Sequence, residues 1–314
     1  MSSVTAFQDL TDNLPDWVEA YRAYAAEGRV ATYIPELAHA PQQALGITLH
    51  HKSGAVISAG DAGMPFTLQS ISKVFTLLLA LMDRGEKAVF EKVGMEPTGD
   101  VFNSMLKLEL VQPGKPFNPL INAGAIVISS LIRGDRPEHK AERIVRFIRE
   151  LAGDEGPSIN EDVYRSEAET ANRNRSLAYF LKDNKVLDEE VEPTLDVYFR
   201  QCAIEVTCAQ VARMGLVLAN DGTDPFTGRE LVPKRYVRIA KSFMVTCGMY
   251  NASGEFAIQV GIPAKSGVAG GILALVPGEL GIGIIGPALN DKGNSTAGVH
   301  LLRLLSERYD WSMF

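Results

Sequence analysis

Gln69-Ser70-Ile71-Ser72-Lys73 stands directly before an apolar run, Val74-Phe75-Thr76-Leu77-Leu78-Leu79-Ala80-Leu81-Met82. Val74, Leu77, Leu78 and Leu81 recur at i, i+3, i+4 and i+7, the stripe of a helix buried on one side. Asp83-Arg84-Gly85 predicts its end, with Gly85 as the stop. Ser70 and Lys73 then lie three residues apart at a helix start, which brings both side chains to one face.

That arrangement suits a particular chemistry. A serine hydroxyl is a poor nucleophile until a base takes its proton. A lysine amine can be that base only when burial or a neighbouring positive charge pulls its pKa toward neutrality. The helix N-terminus adds unpaired N–H groups and partial positive charge, which favour a developing oxyanion. Two other readings of the pattern stand beside this one. Ser72 is an alternative nucleophile, and Ser70 is a candidate helix cap without chemistry. Four-residue patterns of common residues also recur by chance.

Upstream, residues from about 5 to 27 read as helical, with Pro15 at a first turn and Gly28 past the end. Tyr33-Ile34-Pro35 is irregular, because Pro35 biases Ile34 toward an extended backbone. The pattern favours Tyr33 as a core aromatic over a site residue. Leu45 to His50 and Ala55 to Gly60 read as a hairpin through Lys52-Ser53-Gly54.

Downstream, Asp100 to Pro119 is turn-rich and leads into Asn118-Pro119-Leu120-Ile121-Asn122. Ala123 to Leu131 predicts a tightly packed helix with Asn122 as its cap, a structural role compatible with facing a ligand. Ala141, Ile144, Val145 and Ile148 give another helical stripe. Ser166-Glu167-Ala168-Glu169-Thr170-Ala171-Asn172-Arg173-Asn174 reads by composition as a solvated helix end. Leu195 to Leu218 is helical with a break near Ile204-Glu205-Val206-Thr207, and Val237 to Thr246 is helical again. Gly271 to Pro277 and Leu280 to Ile285 read as two strands joined by a Pro-Gly-Glu turn, and a final helix covers about 296–309.

Strand-rich ends around a helical middle predict an α/β (α+β) fold. An antiparallel sheet built from both chain ends is flanked by helices and carries a largely helical insert. We expect a single domain over 1–314, with a sheet lobe of about 1–66 and 255–314 and a helical lobe of about 67–254. A seam between two lobes is a common place for a site.

Composition narrows the function. The 314 residues are 46% hydrophobic, enough for a sizeable core. A net charge of -7 argues against nucleic acid or an anionic membrane as main partner. The N-terminal residues lack a basic region followed by an apolar core, and no apolar stretch reaches the ~20 residues of a membrane span. The expectation is a cytoplasmic protein. The three cysteines, Cys202, Cys208 and Cys247, have no C-x-x-C spacing and read as buried apolar residues. The five histidines are scattered, and His50-His51 would point to opposite strand faces, so no metal site is expected.

Lys265-Ser266-Gly267 opens a strand-like segment near the far end. K-[ST]-G accompanies S-x-x-K in penicillin-binding enzymes and β-lactamases. A strand edge beside the nucleophile offers a backbone N–H as oxyanion donor. The lysine charge is expected to lower the pKa of Lys73 and attract a carboxylate, and the glycine lets a ligand approach the backbone. Alone, the stretch is an ordinary Gly-rich turn. In this order, behind a helical insert, the two motifs support each other.

Together with Tyr33-Ile34-Pro35, Asn118-Pro119, Ile121-Asn122-Ala123-Gly124-Ala125, Ser166-Glu167, Arg173-Asn174, Cys247-Gly248-Met249-Tyr250, Pro263 through Gly271 and Gly293-Asn294-Ser295, the chain resembles the bacterial-type serine-dependent glutaminases. That family is similar in fold to β-lactamases. The resemblance covers about residue 30 to the C-terminus. It implies hydrolysis of L-glutamine to L-glutamate and ammonia through a Ser70 glutamyl-enzyme, with Lys73 as general base and Tyr250 as proton relay. It also implies substrate binding by Tyr33, Asn122, Glu167, Asn174, Tyr198, Tyr250 and the Val268 backbone. Lys265, Ser266 and Gly267 support the site, no metal or organic cofactor is required, and a homo-oligomer, a tetramer, is implied. Ser266 replaces the threonine of the penicillin-recognising K-T-G pattern and keeps the hydroxyl.

Two competing readings remain. A penicillin-recognising hydrolase shares both motifs but needs export, for which no signal is visible. A non-catalytic amino-acid sensor would not need Ser70, Lys73 and Tyr250.

Overall fold

In the computed structural model, residues 3–98 and 114–314 are described. The chain opens with helix α1 (Ser3–Tyr21) and a 3-10 turn (Arg22–Glu27). Pro15 lies inside α1, not at its first turn. Leu10, Leu14 and Val18 form one buried stripe along this helix, and its packing outweighs the backbone bond that proline removes.

Strands β1 (Gly46–His51) and β2 (Val56–Gly60) form the expected hairpin, closed by His51 N donating to the Ala55 carbonyl at 2.9 Å. At the other end of the chain come β6 (Ala264–Ser266), β7 (Gly271–Val276) and β8 (Leu280–Ile285). These five strands form one antiparallel sheet in the order β2-β1-β8-β7-β6, so β1 and β8 join the two chain ends. A small sheet forms from β3 (Phe66–Thr67), β4 (Ser158–Ile159) and β5 (Ile204–Val206), in the order β3-β5-β4.

The middle of the chain is helical: α2 (Ser72–Lys92), α3 (Asn122–Leu131), α4 (Pro137–Ala152), α5 (Glu161–Thr170), α6 (Asn172–Asp183), α7 (Val191–Cys202), α8 (Cys208–Ala219), α9 (Lys234–Cys247) and α10 (Ser253–Gln259). Helix α11 (Thr296–Tyr309) ends the fold. The break expected near Ile204 is β5. Gly85 interrupts α2 with φ 78°, after which the helix resumes to Lys92. The turn-rich stretch from Asp100 falls outside the described residues up to Gly114.

One face of the large sheet packs with Leu10, Leu14, Leu301 and Leu305 of α1 and α11. The other meets α8, which lies against β8 so closely that a Cβ on Gly283 would sit 2.1 Å from the Cys208 carbonyl oxygen. Glycine there lets the helix backbone rest on the strand. The helices then build a core around α2, with Leu77, Leu78 and Leu81 fully buried. Each such side chain contributes about 1.5–3 kcal/mol. This framework encloses the polar groups described next.

Candidate active site

Ser70 sits in a 3-10 turn, Gln69–Ile71, that runs directly into α2. The Leu68 N–H donates to the Ile204 carbonyl at 2.8 Å, tying the turn to the small sheet. Gln69 has φ 46°, a left-handed backbone that costs a non-glycine residue about 1–3 kcal/mol. Ser70 is 7% exposed. Ser72 is fully buried and donates its hydroxyl to the Gln69 carbonyl at 2.7 Å, which closes the turn.

Lys73 is buried, and its Nζ donates to Asn122 Oδ1 at 2.7 Å. Asn122 Nδ2 in turn donates to Asn174 Oδ1 at 2.9 Å, so α2, α3 and α6 meet through one polar chain. Asn122 is therefore not the cap of α3. Asn118 Oδ1 takes the Leu120 and Ile121 N–H groups, which frees Asn122, already inside the first turn, to face Lys73. Burial brings the Lys73 pKa down to about 8, although Cys202 and Glu167 pull it upward.

Glu167 belongs to α5 and is not solvated: it is 6% exposed, and its Oε2 has no hydrogen-bond partner among the described residues. Burial lifts its pKa to about 8, held back by the Lys73 charge. Tyr198, on α7, places its ring centroid 6.0 Å from Lys73 Nζ. Its hydroxyl is hydrogen-bonded to Cys202, and burial pushes both groups well up.

Tyr250 opens the turn between α9 and α10, with φ 54°. Its hydroxyl donates to the Ser266 carbonyl at 3.1 Å and is also a hydrogen-bond partner of Ser70. Burial pushes the Tyr250 hydroxyl pKa well up, and the bond with Ser70 tempers the rise. Lys265 is fully buried, donates to the same Ser266 carbonyl at 2.6 Å, and lies 4.3 Å from the Tyr250 ring centroid. Burial, then the charge of Lys73, holds Lys265 well below the ordinary lysine range. The expected charge of Lys265 acting on Lys73 is thus replaced by burial acting on both.

Ser266 Oγ is buried without a partner among the described residues. Gly267 brings β6 against the Ser70 turn: a Cβ there would lie 2.6 Å from the Leu68 carbonyl oxygen. Val268, Tyr250 and Tyr33 line a cavity of about 730 Å³. Tyr33 is 55% exposed, not a core aromatic. Extended Ile34 turns inward and takes the buried position, leaving Tyr33 at the cavity.

Ser70, Lys73, Asn122, Glu167, Asn174 and Tyr198 thus form one connected neighbourhood, bounded by Tyr250 and the Lys265-Ser266-Gly267 strand. The histidines lie elsewhere: His50 stacks on Phe226, His51 bonds Ser53, His139 bonds Arg136, His300 stacks on Tyr24, and His39 pairs with Glu36. Cys202, which its residue type assigns to plain core, joins this neighbourhood through Tyr198. Its i+4 spacing from Tyr198 on α7 is the signal that connects it to the site.

The antiparallel sheet built from both chain ends, with a buried serine and lysine at the helix start beside its edge strand, defines a member of the β-lactamase-like fold class. A family model described as Glutaminase matches residues 28–314. The glutaminase of Bacillus cytotoxicus is 55% identical over 304 residues, covering 97% of this chain and 98% of that protein. A probable glutaminase of Bacillus subtilis superposes with a TM-score of 0.92 at 46% identity, covering 98% of each chain. A further Bacillus subtilis glutaminase structure, a covalent complex with 5-oxo-L-norleucine formed by reaction with 6-diazo-5-oxo-L-norleucine, gives a TM-score of 0.89 at 45% identity, covering 97% of this chain and 99% of that one. The chain belongs to the glutaminase family of enzymes.

Proposed function

We propose that this chain hydrolyses the side-chain amide of L-glutamine, with Ser70 as nucleophile and Lys73 as general base. The observation that carries the reading is Glu167. A buried carboxyl with an unpartnered oxygen is costly in a folded protein. A substrate ammonium removes that cost and stabilises the charged form. Asn122, Asn174 and Tyr198 offer directional hydrogen bonds to the rest of the amino-acid end, and Tyr33 closes over it.

Ser70 Oγ attacks the amide carbon as its proton passes to Lys73 Nζ. The N–H groups of Ser70 and Val268 hold the oxyanion. Tyr250 gives its proton to the departing nitrogen, which leaves as ammonia, and a glutamyl ester remains on Ser70. Water then attacks the ester and returns a proton to Tyr250, while Lys73 returns its proton to Ser70 Oγ. The balance is glutamine plus water to glutamate plus ammonia. The commitment of Ser72 to the Gln69 carbonyl favours Ser70 as nucleophile. The covalent 5-oxo-L-norleucine complex of the Bacillus subtilis relative supports a covalent route. The resemblance extends the proposal to a cytoplasmic homotetramer, which a solution mass measurement tests.

Ammonia release from L-glutamine by the purified protein, with L-asparagine and a chromogenic β-lactam in parallel, tests the reaction. Turnover of glutamine without β-lactam cleavage is expected. Cleavage of the β-lactam alone would move the chain to the penicillin-recognising hydrolases. A glutamine-dependent rise in melting temperature without ammonia would favour a sensor.

A further inference from the structure

Tyr250 adopts a backbone conformation that a bulky residue holds only when its surroundings enforce it. Two side chains outside the proposed reacting set supply that enforcement. Ser253 Oγ accepts the Met249 N–H at 3.1 Å and donates to the Tyr250 carbonyl at 2.9 Å, stapling the turn on both sides of the tyrosine. Asn294 Nδ2 donates to the Met249 carbonyl at 3.2 Å. Ser253 is 5% exposed and Asn294 fully buried, so these three bonds are shielded from solvent. Asn294 is itself fixed, because its N–H donates to Asn290 Oδ1 at 3.1 Å and its carbonyl accepts the Asn290 N–H at 2.9 Å.

We infer that Ser253 and Asn294 are positioning residues that clamp the Met249-Tyr250 backbone and so aim the Tyr250 hydroxyl between Ser70 and the Ser266 carbonyl. The clamp rests on the proton-carrying role proposed above for Tyr250. Without it, the strained residue relaxes toward an ordinary backbone, and a hydroxyl carried at the end of a tyrosine ring moves far for a small change in φ. Misplacement on the order of 1 Å costs up to about 100-fold in rate. In the mechanism proposed above, Glu167, Asn122, Asn174 and Tyr198 hold the substrate's amino-acid end while the Tyr250 hydroxyl serves the reacting amide, so the loss falls mainly on kcat.

The test is a double-mutant cycle on the full chain with L-glutamine, following ammonia. Ser253→Ala is expected to lower kcat about 10-fold or more with KM within about 2-fold, and Ser253→Thr, which restores the hydroxyl, to recover most of the rate. Combined with Tyr250→Phe, Ser253→Ala is expected to cause no further loss, since the group it positions is gone. A general loss of stability would instead lower both backgrounds equally. Wild-type kcat in Ser253→Ala beside an impaired Tyr250→Phe would overturn the clamp alone. A fully active Tyr250→Phe would overturn the proton-carrying role and, with it, the purpose of the clamp. Should Ser253→Ala fail to fold, Asn294→Ser, read through the same cycle, decides between the same outcomes.

Discussion

Lys73 Nζ donates to Asn122 Oδ1 at 2.7 Å, and both side chains are buried. The hydrogen-bond partner is a neutral amide, which does not favour the charged amine, and burial outweighs the upward pull of Cys202 and Glu167. The pKa of about 8 follows from burial. The neutral amine takes the Ser70 proton, so kcat/KM should climb as pH rises through about 8. Glu167, also near 8, must ionise to hold an ammonium, and it steepens the same limb. Asn122→Asp places a carboxylate against Lys73 and stabilises its charged form. The acid limb of the pH–rate profile should then move up by about one unit or more. An unmoved midpoint in the variant would contradict Lys73 as the base.

Glu167 should also set a slope on stability. Its folded-state pKa of about 8 lies above the ordinary 4.5. Between these values the folded chain holds a proton that the unfolded chain has released, so this group costs stability progressively as pH rises through that window. Glu167→Gln has no such slope. Its melting temperature relative to wild type should rise between about pH 5 and pH 8 and level off above, while glutamine turnover is lost. A difference independent of pH would show that the carboxyl is not carrying the burial cost.

Gly267 is the point where the edge strand touches the Ser70 turn. An added Cβ meets the Leu68 carbonyl oxygen at 2.6 Å, a backbone atom that cannot rotate away. Gly267→Ala should fold, because β6 keeps its pairing with β7. It should lose about 10-fold or more in kcat as strand and turn separate by a few tenths of an ångström. Steady-state kinetics beside a thermal melt checks this, and wild-type kcat would show that the strand tolerates the shift.

The elements with one apolar stripe were legible along the chain. The α2 stripe, the hairpin, the β7–β8 pair and α11 needed only local periodicity. So did the serine–lysine spacing, because a helix turn fixes which side chains share a face. Contacts across the fold were not legible in this way. Asn122 has the residue type of a cap, and only its distance to Lys73 gives it another partner. Glu167 sits in a polar stretch whose composition predicts solvent, and a charged group buried beside a lysine has no one-dimensional signature. Tyr33 reads as core because its ring is largely apolar, whereas Ile34 takes the inward position. The charge expected of Lys265 failed for a related reason: full burial of two lysines together is a property of the assembled site. Family resemblance named Glu167, Asn174 and Tyr33 as site residues where the pattern left them as structure, but it gave no hint of Cys202 beside Tyr198.

In the proposed mechanism a covalent glutamyl intermediate forms on Ser70. The most direct measurement is peptide mapping by mass spectrometry after incubation with 6-diazo-5-oxo-L-norleucine, the reagent that forms a covalent complex with the Bacillus subtilis relative. One adduct is expected, on the peptide spanning Gln69 to Lys73, fragmented to Ser70, with none in Ser70→Ala and no ammonia released by that variant. An adduct on Ser72 or elsewhere, or glutamine turnover by Ser70→Ala, would contradict it.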